Sequence, residues 1–381
     1  MKNRLGSIDL FRGLCITWMI ITHTIEWWTI SKFSYEIRLI TMVVDAMGAG
    51  GFLFISGMSL TLSYHKKREI TQNTHEYNYR QLRLEYFLRA LFIFSVGTFY
   101  NIFLMIRLWN ILIMWEWFIL QTLPFSIMLM WPLLRYNIGF KVIIAALLLI
   151  LDYFLYNLVS SFANEFSNPY GIIYFIVYNG HQFSPILGFF PFFIIGSIIG
   201  DTIHNNYFNF EKKIDIKNNQ LIRKFFLPLM IIGICLILIG YFVIHPGILK
   251  KNQLSWLLYA AGIQLIIFSA LFTIEKLVSI TFNNRYRFFY YFSYYSFSIF
   301  LLHYPIYFLF LDSLTLSQYF LLIPFLVILI GIGLKAIYHK LGQLFSLKAQ
   351  ISRLVTKTAF LIEGKLNDKK ESKKLVKTIK V

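Results

Sequence analysis

The chain has 381 residues, 57% of them hydrophobic and 19% aromatic but only 14% charged, with a mean hydropathy of +0.62. This balance excludes a soluble globular domain and describes an integral, multi-pass membrane protein. The formal net charge of +18 invites a nucleic-acid reading, but the cations follow the loops in a membrane pattern, so no nucleic acid is expected as a partner.

Ten apolar runs are predicted to cross the membrane, near residues 10–30, 42–64, 86–106, 110–133, 138–158, 186–203, 225–245, 254–274, 290–311 and 319–339. Each is long enough, or nearly so, to cover roughly 30 Å of hydrocarbon at about 1.5 Å per residue. The first run carries Arg12 and lacks a small-residue cleavage site, so it reads as a retained helix and not a signal peptide. The expected fold is all-α, with both termini cytoplasmic. Charge supports that orientation: 31 of the 36 Lys and Arg residues then fall on the cytoplasmic side and 5 outside, as the positive-inside rule requires. The cell membrane is the expected location, and membrane lipid the expected surroundings.

Three connecting segments stand out. Residues 65–85 form a charged cytoplasmic loop. Residues 159–185 form an outer loop without Lys or Arg, ending Asn179-Gly-His181-Gln-Phe-Ser-Pro185; loops of this length often carry function. Residues 340–381 form a basic tail, set apart from the membrane domain at 1–339. In the tail Leu341, Leu344, Phe345, Ile351, Leu354, Val355, Leu361 and Ile362 recur near helical spacing among lysines, which predicts an amphipathic helix on an anionic leaflet. The last fifteen residues read as disordered. Cys15 and Cys235 each lie inside an apolar segment, so neither a disulfide framework nor a metal site is expected.

Ionisable groups inside a bilayer are costly, and each one needs a reason. The first run, Ile8-Asp-Leu-Phe-Arg12-Gly-Leu-Cys-Ile-Thr-Trp-Met-Ile-Ile-Thr-His23, holds two such groups eleven positions apart. On a helix that separation is about 16 Å, close to the length of an extended pantetheine arm. Neutral imidazole at His23 has the form a general base needs. Glu26, three positions on, shares its helix face and can fix the tautomer or stabilise the imidazolium. The same histidine could equally be a packing group. Arg80 and Arg83 put two guanidiniums on one face, with Arg89 beyond them; the guanidinium fork suits phosphate, although cations at a cytoplasmic helix end also satisfy the positive-inside rule alone. Asp9 suits a helix cap or an arginine pair. Gly48, Gly50, Gly51 and Gly57 permit close helix packing and leave room for a slender chain. His303 can line an acceptor site or brace helices. Glu116 and Asp152 are intramembrane acids expected to face the bundle. Cys15 could form an acyl intermediate, but a thiol in apolar surroundings is usually inert.

Three stretches carry a resemblance: Arg4-x-x-Ser-Ile-Asp-Leu-Phe-Arg12-Gly13, Met19-Ile-Ile-Thr-His23, and Phe52-Leu-Phe-Ile-Ser-Gly57-Met-Ser-Leu60. They resemble the catalytic-domain family of heparan-α-glucosaminide N-acetyltransferase and the wider transmembrane acyltransferase superfamily that includes the acyltransferase-3 proteins. In that superfamily a basic residue and a histidine eleven apart mark helix one, matched by Arg12 and His23. An Arg-x-x-Arg motif follows helix two, matched by Arg80 and Arg83. Phe190-Pro-Phe-Phe-Ile-Ile-Gly196 and the run Phe289 to His303 resemble its middle and penultimate helices. The lysosomal enzyme has Asn where His23 stands, so the catalytic role carries over from the acyltransferase-3 pattern.

The resemblance implies acyl transfer across a membrane. Cytoplasmic acyl-CoA, most simply acetyl-CoA, is the implied co-substrate, with its phosphates on Arg12, Arg80 and Arg83. His23, oriented by Glu26, is the implied base. A hydroxyl or amine of a sugar, glycan or glycolipid is the implied acceptor, with His303 and His181 near it. The competing reading is a proton-coupled transporter using Glu116, Asp152, His23 and His303 as a relay, but transporters commonly carry paired repeats and no repeat is visible here. The sequence leaves the oligomeric state open.

Overall fold

The structure is a computed structural model and describes residues 5–30, 36–37, 39, 45–73, 78–163, 165–179, 183–207, 218–243, 253–277 and 287–378. It is an all-helical bundle. In chain order the helices are α1 (Gly6–Trp28), α2 (Ala49–Asn73), α3 (Tyr79–Leu108), α4 (Ile119–Leu133), α5 (Ile138–Val159), α6 (Pro169–Tyr178), α7 (Ile186–Tyr207), α8 (Leu227–Val243), α9 (Leu254–Leu277), α10 (Arg287–Tyr294), α11 (Ser296–Leu302), α12 (Leu316–Lys340) and α13 (Leu347–Thr378).

Among the described residues eight helical stretches are long and apolar enough to cross a membrane, against the ten expected. The other two runs exist in another form. The run near 42–64 is α2, whose second half, from His65 to Glu69, is charged; its apolar half buries Leu53, Phe54, Ile55 and Met58 completely. The run near 290–311 breaks at Tyr295 into α10 and α11 and then turns 3-10 over Tyr304–Leu309, where Pro305 removes a backbone donor.

The centre of the bundle is α1, α2 and α7. Helices α2 and α7 cross with almost no side chain between them. A Cβ on Gly57 would lie 2.0 Å from the Phe193 carbonyl oxygen, and one on Gly196 would lie 1.8 Å from that of Phe54. The small residues of α2 are therefore used for packing. Helices α5, α8 and α12 keep most of their surface outside, with Leu147, Phe242 and Leu321 exposed, as a lipid-facing shell should.

Helix ends account for the loops that shortened. Expected loop 65–85 is mostly helix, because α2 runs to Asn73 and α3 starts at Tyr79, capped by Asn78. A Lys67–Glu85 ion pair and a Tyr86 hydroxyl donating to the Leu60 carbonyl at 3.0 Å tie the two together. Expected loop 159–185 contains α6, capped by Asn168 with Pro169 at its first position. The Trp115 and Trp117 indoles donate to the Ile176 carbonyl at 3.1 and 2.9 Å. The last fifteen residues, expected as disordered, continue α13 as far as Thr378; nothing past Gly364 is Gly or Pro, and Lys, Leu and Glu sustain a helix.

Candidate functional site

Helix α1 starts without a side-chain cap of its own. Instead Glu275 of α9 accepts from the Gly6 and Ser7 amides, each at 2.8 Å, which satisfies two orphan donors with a carboxylate at the positive end of the helix. Asp9 is thereby left for another task. Its Oδ1 lies 3.7 Å from the Arg12 guanidinium and accepts from Ser293 Oγ at 3.0 Å. Arg12 in turn donates to Ser59 Oγ at 2.6 Å. Asp9 and Arg12 are both buried, so the guanidinium is aimed by α2 and α10 together.

Arg12 opens onto a cavity of about 190 Å³. Its polar lining is Arg12, Ser59, Arg89, Ser296, Lys348 and Ser352, with Ser56, and no Asp or Glu is among the described lining residues. A pocket with three cations and several hydroxyls suits an anion. At this size it is below the ~300–1,000 Å³ of whole ligand sites, so it suits one anionic portion of a larger ligand.

Eleven residues on a helix turn about 20° past three full turns, so Arg12 and His23 face the same way, about 16 Å apart. Ile16 and Met19 occupy that face between them, both buried in an apolar cluster with Tyr295 and Ile299. At its far end His23 meets His303, with ring centroids 5.6 Å apart. His303 is buried and its Nδ1 lies 2.5 Å from the Phe300 carbonyl oxygen. A carbonyl only accepts, so the proton sits on Nδ1 and Nε2 is the basic nitrogen. His23 Nδ1 lies 3.8 Å from Glu26 Oε2, too far for a good hydrogen bond but near enough to stabilise charge on the ring.

This end is held by main chain. The Asp312 amide donates to the Trp27 carbonyl at 2.9 Å, Leu314 to that of Trp28 at 2.8 Å, and Ile30 to that of Leu314 at 3.0 Å. The Tyr319 hydroxyl donates to the Ile21 carbonyl at 2.7 Å. The backbone is therefore fixed while the His23 and Glu26 side chains stay 36% and 47% exposed. Phe308, on the 3-10 segment after His303, packs under the Arg107 guanidinium at 4.6 Å.

The expected residues divide into groups. Arg12 joins the cavity; His23, Glu26 and His303 gather at the other end of α1. Arg80 and Arg83 are on α3 itself and do not line the cavity: Arg80 Nε is 3.7 Å from Glu363 of α13, and Arg83 is exposed over the Phe87 ring. His181 lies outside the described residues. Cys15 is buried with its Sγ 2.9 Å from where a Gly51 Cβ would stand, a packing contact. Asp152 is buried, its carbonyl accepting from the Tyr178 hydroxyl at 3.1 Å, and Glu116 is partly exposed.

Two groups escaped the sequence reading. Lys348 and Ser352 reach the cavity from the tail, and no local signal joins them to Arg12. Lys141 is fully buried on α5, with Nζ 2.5 Å from Asp201 Oδ2 and 3.2 Å from Ser197 Oγ, while His65 Nε2 is 2.8 Å from Asp201 Oδ1. That network ties α2, α5 and α7 together. A lysine three residues into an apolar run was its one visible trace.

The family model described as heparan-alpha-glucosaminide N-acetyltransferase, catalytic, matches residues 4–246. No curated protein and no solved structure matches the chain.

Proposed function

The chain belongs to the heparan-α-glucosaminide N-acetyltransferase catalytic family, and from that premise we propose that it moves an acetyl group from cytoplasmic acetyl-CoA to a sugar at the opposite membrane face. The acceptor is a hydroxyl or amine of a glycan or glycolipid. Residues 1–339 are the catalytic domain in this reading, with the termini cytoplasmic and the cell membrane as the site of action. The observation that carries it is the array along α1: a buried arginine on a cation-lined cavity at one end, and a pair of imidazoles, one partly exposed, on the same face at the other.

The chemistry follows from the two ends. Phosphates of the donor sit at Arg12, in a cavity too small for the whole molecule. The pantetheine arm runs along α1, with Ile16 and Met19 parting to admit it. At the far end the acceptor loses its proton to Nε2 of His23 as its oxygen or nitrogen attacks the thioester carbonyl. The C–S bond breaks, the acetyl group stays on the acceptor, and the CoA thiolate takes the proton from the His23 imidazolium, which restores the base. Glu26 stabilises the imidazolium formed at His23. His303 Nε2 serves the acceptor side, by accepting a hydrogen bond from a second sugar hydroxyl. Direct transfer in a ternary complex needs no further residue.

The test is transfer by the purified full-length chain from labelled acetyl-CoA to candidate amino sugars and glycans. Acetylated product is expected from wild type and none from a folded His23→Ala variant. Turnover by His23→Ala at the wild-type rate would sink the mechanism.

A further inference from the structure

Helix α13 was expected from its composition to lie on the membrane surface. Leu354, Phe360 and Leu361 stay exposed on it, and a second part of its apolar surface meets the bundle. Ile351, Val355 and Ala359, spaced by four, turn inward, and Val355 and Ala359 are fully buried. Arg89 of α3 reaches Ser352 at 3.5 Å, and Arg80 of α3 approaches Glu363. The turn into α13 is seated by Tyr295 and by Ser298 of α11, the helix that leads to His303. The Tyr295 hydroxyl donates to the Gly342 carbonyl at 2.7 Å, Ser298 Oγ donates to that of Phe345 at 2.7 Å, and the Leu347 amide donates to Ser298 Oγ at 3.1 Å. Gly342, at φ +51°, supplies the left-handed residue that lets the chain leave α12 and turn into α13.

This seating brings the first two turns of α13 to the wall of the Arg12 cavity, through Lys348, Ile351 and Ser352. We propose that α13 is part of the donor site, with Lys348 and Arg89 binding the phosphate end of the CoA thioester opposite Arg12. The proposal rests on the acyl-CoA reading above and deepens it. Three observations support it. The cavity is lined by cations from α1, α3 and α13 and by no described carboxylate. The positive end of α13 lies beside it and adds to the charge of Lys348. Ser56, Ser296 and Ser352 line it with hydroxyls able to donate to phosphate oxygens, whereas the Ser59 hydroxyl donates to the Ile55 carbonyl at 2.7 Å and holds Arg12. Without α13 the site would lack a wall and one of its three cations. A phospholipid headgroup shares the phosphate chemistry, but Ser296 and Arg12, both buried, line the same cavity and lead along α11 and α1 to the imidazoles, which favours the acyl donor.

The test uses the full-length chain in a phospholipid-free neutral detergent, so that no headgroup competes. Binding of acetyl-CoA and of S-acetylpantetheine, which lacks the phosphates, is measured for wild type, Lys348→Gln and Lys348→Arg. Lys348→Gln is expected to bind acetyl-CoA about tenfold more weakly, the worth of one charged hydrogen bond, with Lys348→Arg restoring most of the loss and S-acetylpantetheine unaffected throughout. Wild-type affinity for acetyl-CoA in Lys348→Gln, or an equal loss for both donors, would overturn the role of α13. A wild-type chain that binds no acetyl-CoA would overturn the acyl-CoA reading, and this proposal with it.

Discussion

The two ends of α1 treat their ionisable residues in opposite ways. At Arg12 the charge is buried and held from three sides, by Asp9, Ser59 and, through Asp9, Ser293. At His23 the backbone is clamped but the side chain and its Glu26 neighbour remain partly exposed. A charge that must hold a ligand of fixed shape benefits from a preset direction, since little freedom is then lost on binding. A base that must meet an incoming acceptor needs access, and only its helix has to be fixed. The difference suits the proposed division, with binding at one end and proton transfer at the other.

That contrast can be broken most forcefully at His23. His23→Ala should lower transfer by about 10²- to 10⁴-fold, the usual worth of a general base, while donor affinity stays at the wild-type level; a matched loss of donor binding would erase the division between the ends. At the other end, Arg12→Ala strands Asp9 in the interior. It should cost about 3–5 kcal/mol of stability, as breaking a buried pair does, with a lowered thermal midpoint and weaker acetyl-CoA binding. Asp9→Asn combined with Arg12→Gln should recover much of that stability but not the donor affinity, which separates packing from ligand contact. Glu26→Gln should lower turnover by about tenfold with donor affinity intact, if its charge contributes about 1.4 kcal/mol to the transition state. Arg83→Ala sharpens the comparison from below. An exposed side chain outside the cavity should change stability by no more than about 0.5 kcal/mol and acetyl-CoA affinity by about twofold at most; a tenfold loss would return the phosphates to the Arg80–Arg83 pair.

The helical, multi-pass fold was legible because apolar runs of membrane length are a strong signal. The pairing of Arg12 with His23 was legible for a related reason: both lie on one helix, and helical geometry fixes their spacing and shared face. Contacts between helices left no such trace. Glu275 caps α1 from 268 and 269 positions away, and nothing near Gly6 announces it. Arg80 and Arg83 read as phosphate ligands because their spacing suits one face, but which way that face turns depends on how α3 packs, and it turns toward Glu363 and solvent. The tail was ambiguous by its nature. An amphipathic stripe satisfies a membrane surface or a protein groove equally well, and only the bundle reveals that α13 packs on α3 and buries Val355 and Ala359.

The central claim is that one donor molecule lies along α1 with its phosphates at Arg12 and its sulfur at His23. A cryo-electron microscopy structure of the full-length chain with CoA bound tests it most directly. The account predicts phosphate density in the cavity of Arg12, Arg89 and Lys348, with the thiol beside the His23–His303 pair. CoA bound away from α1, or with its thiol at the Arg12 end, would contradict it.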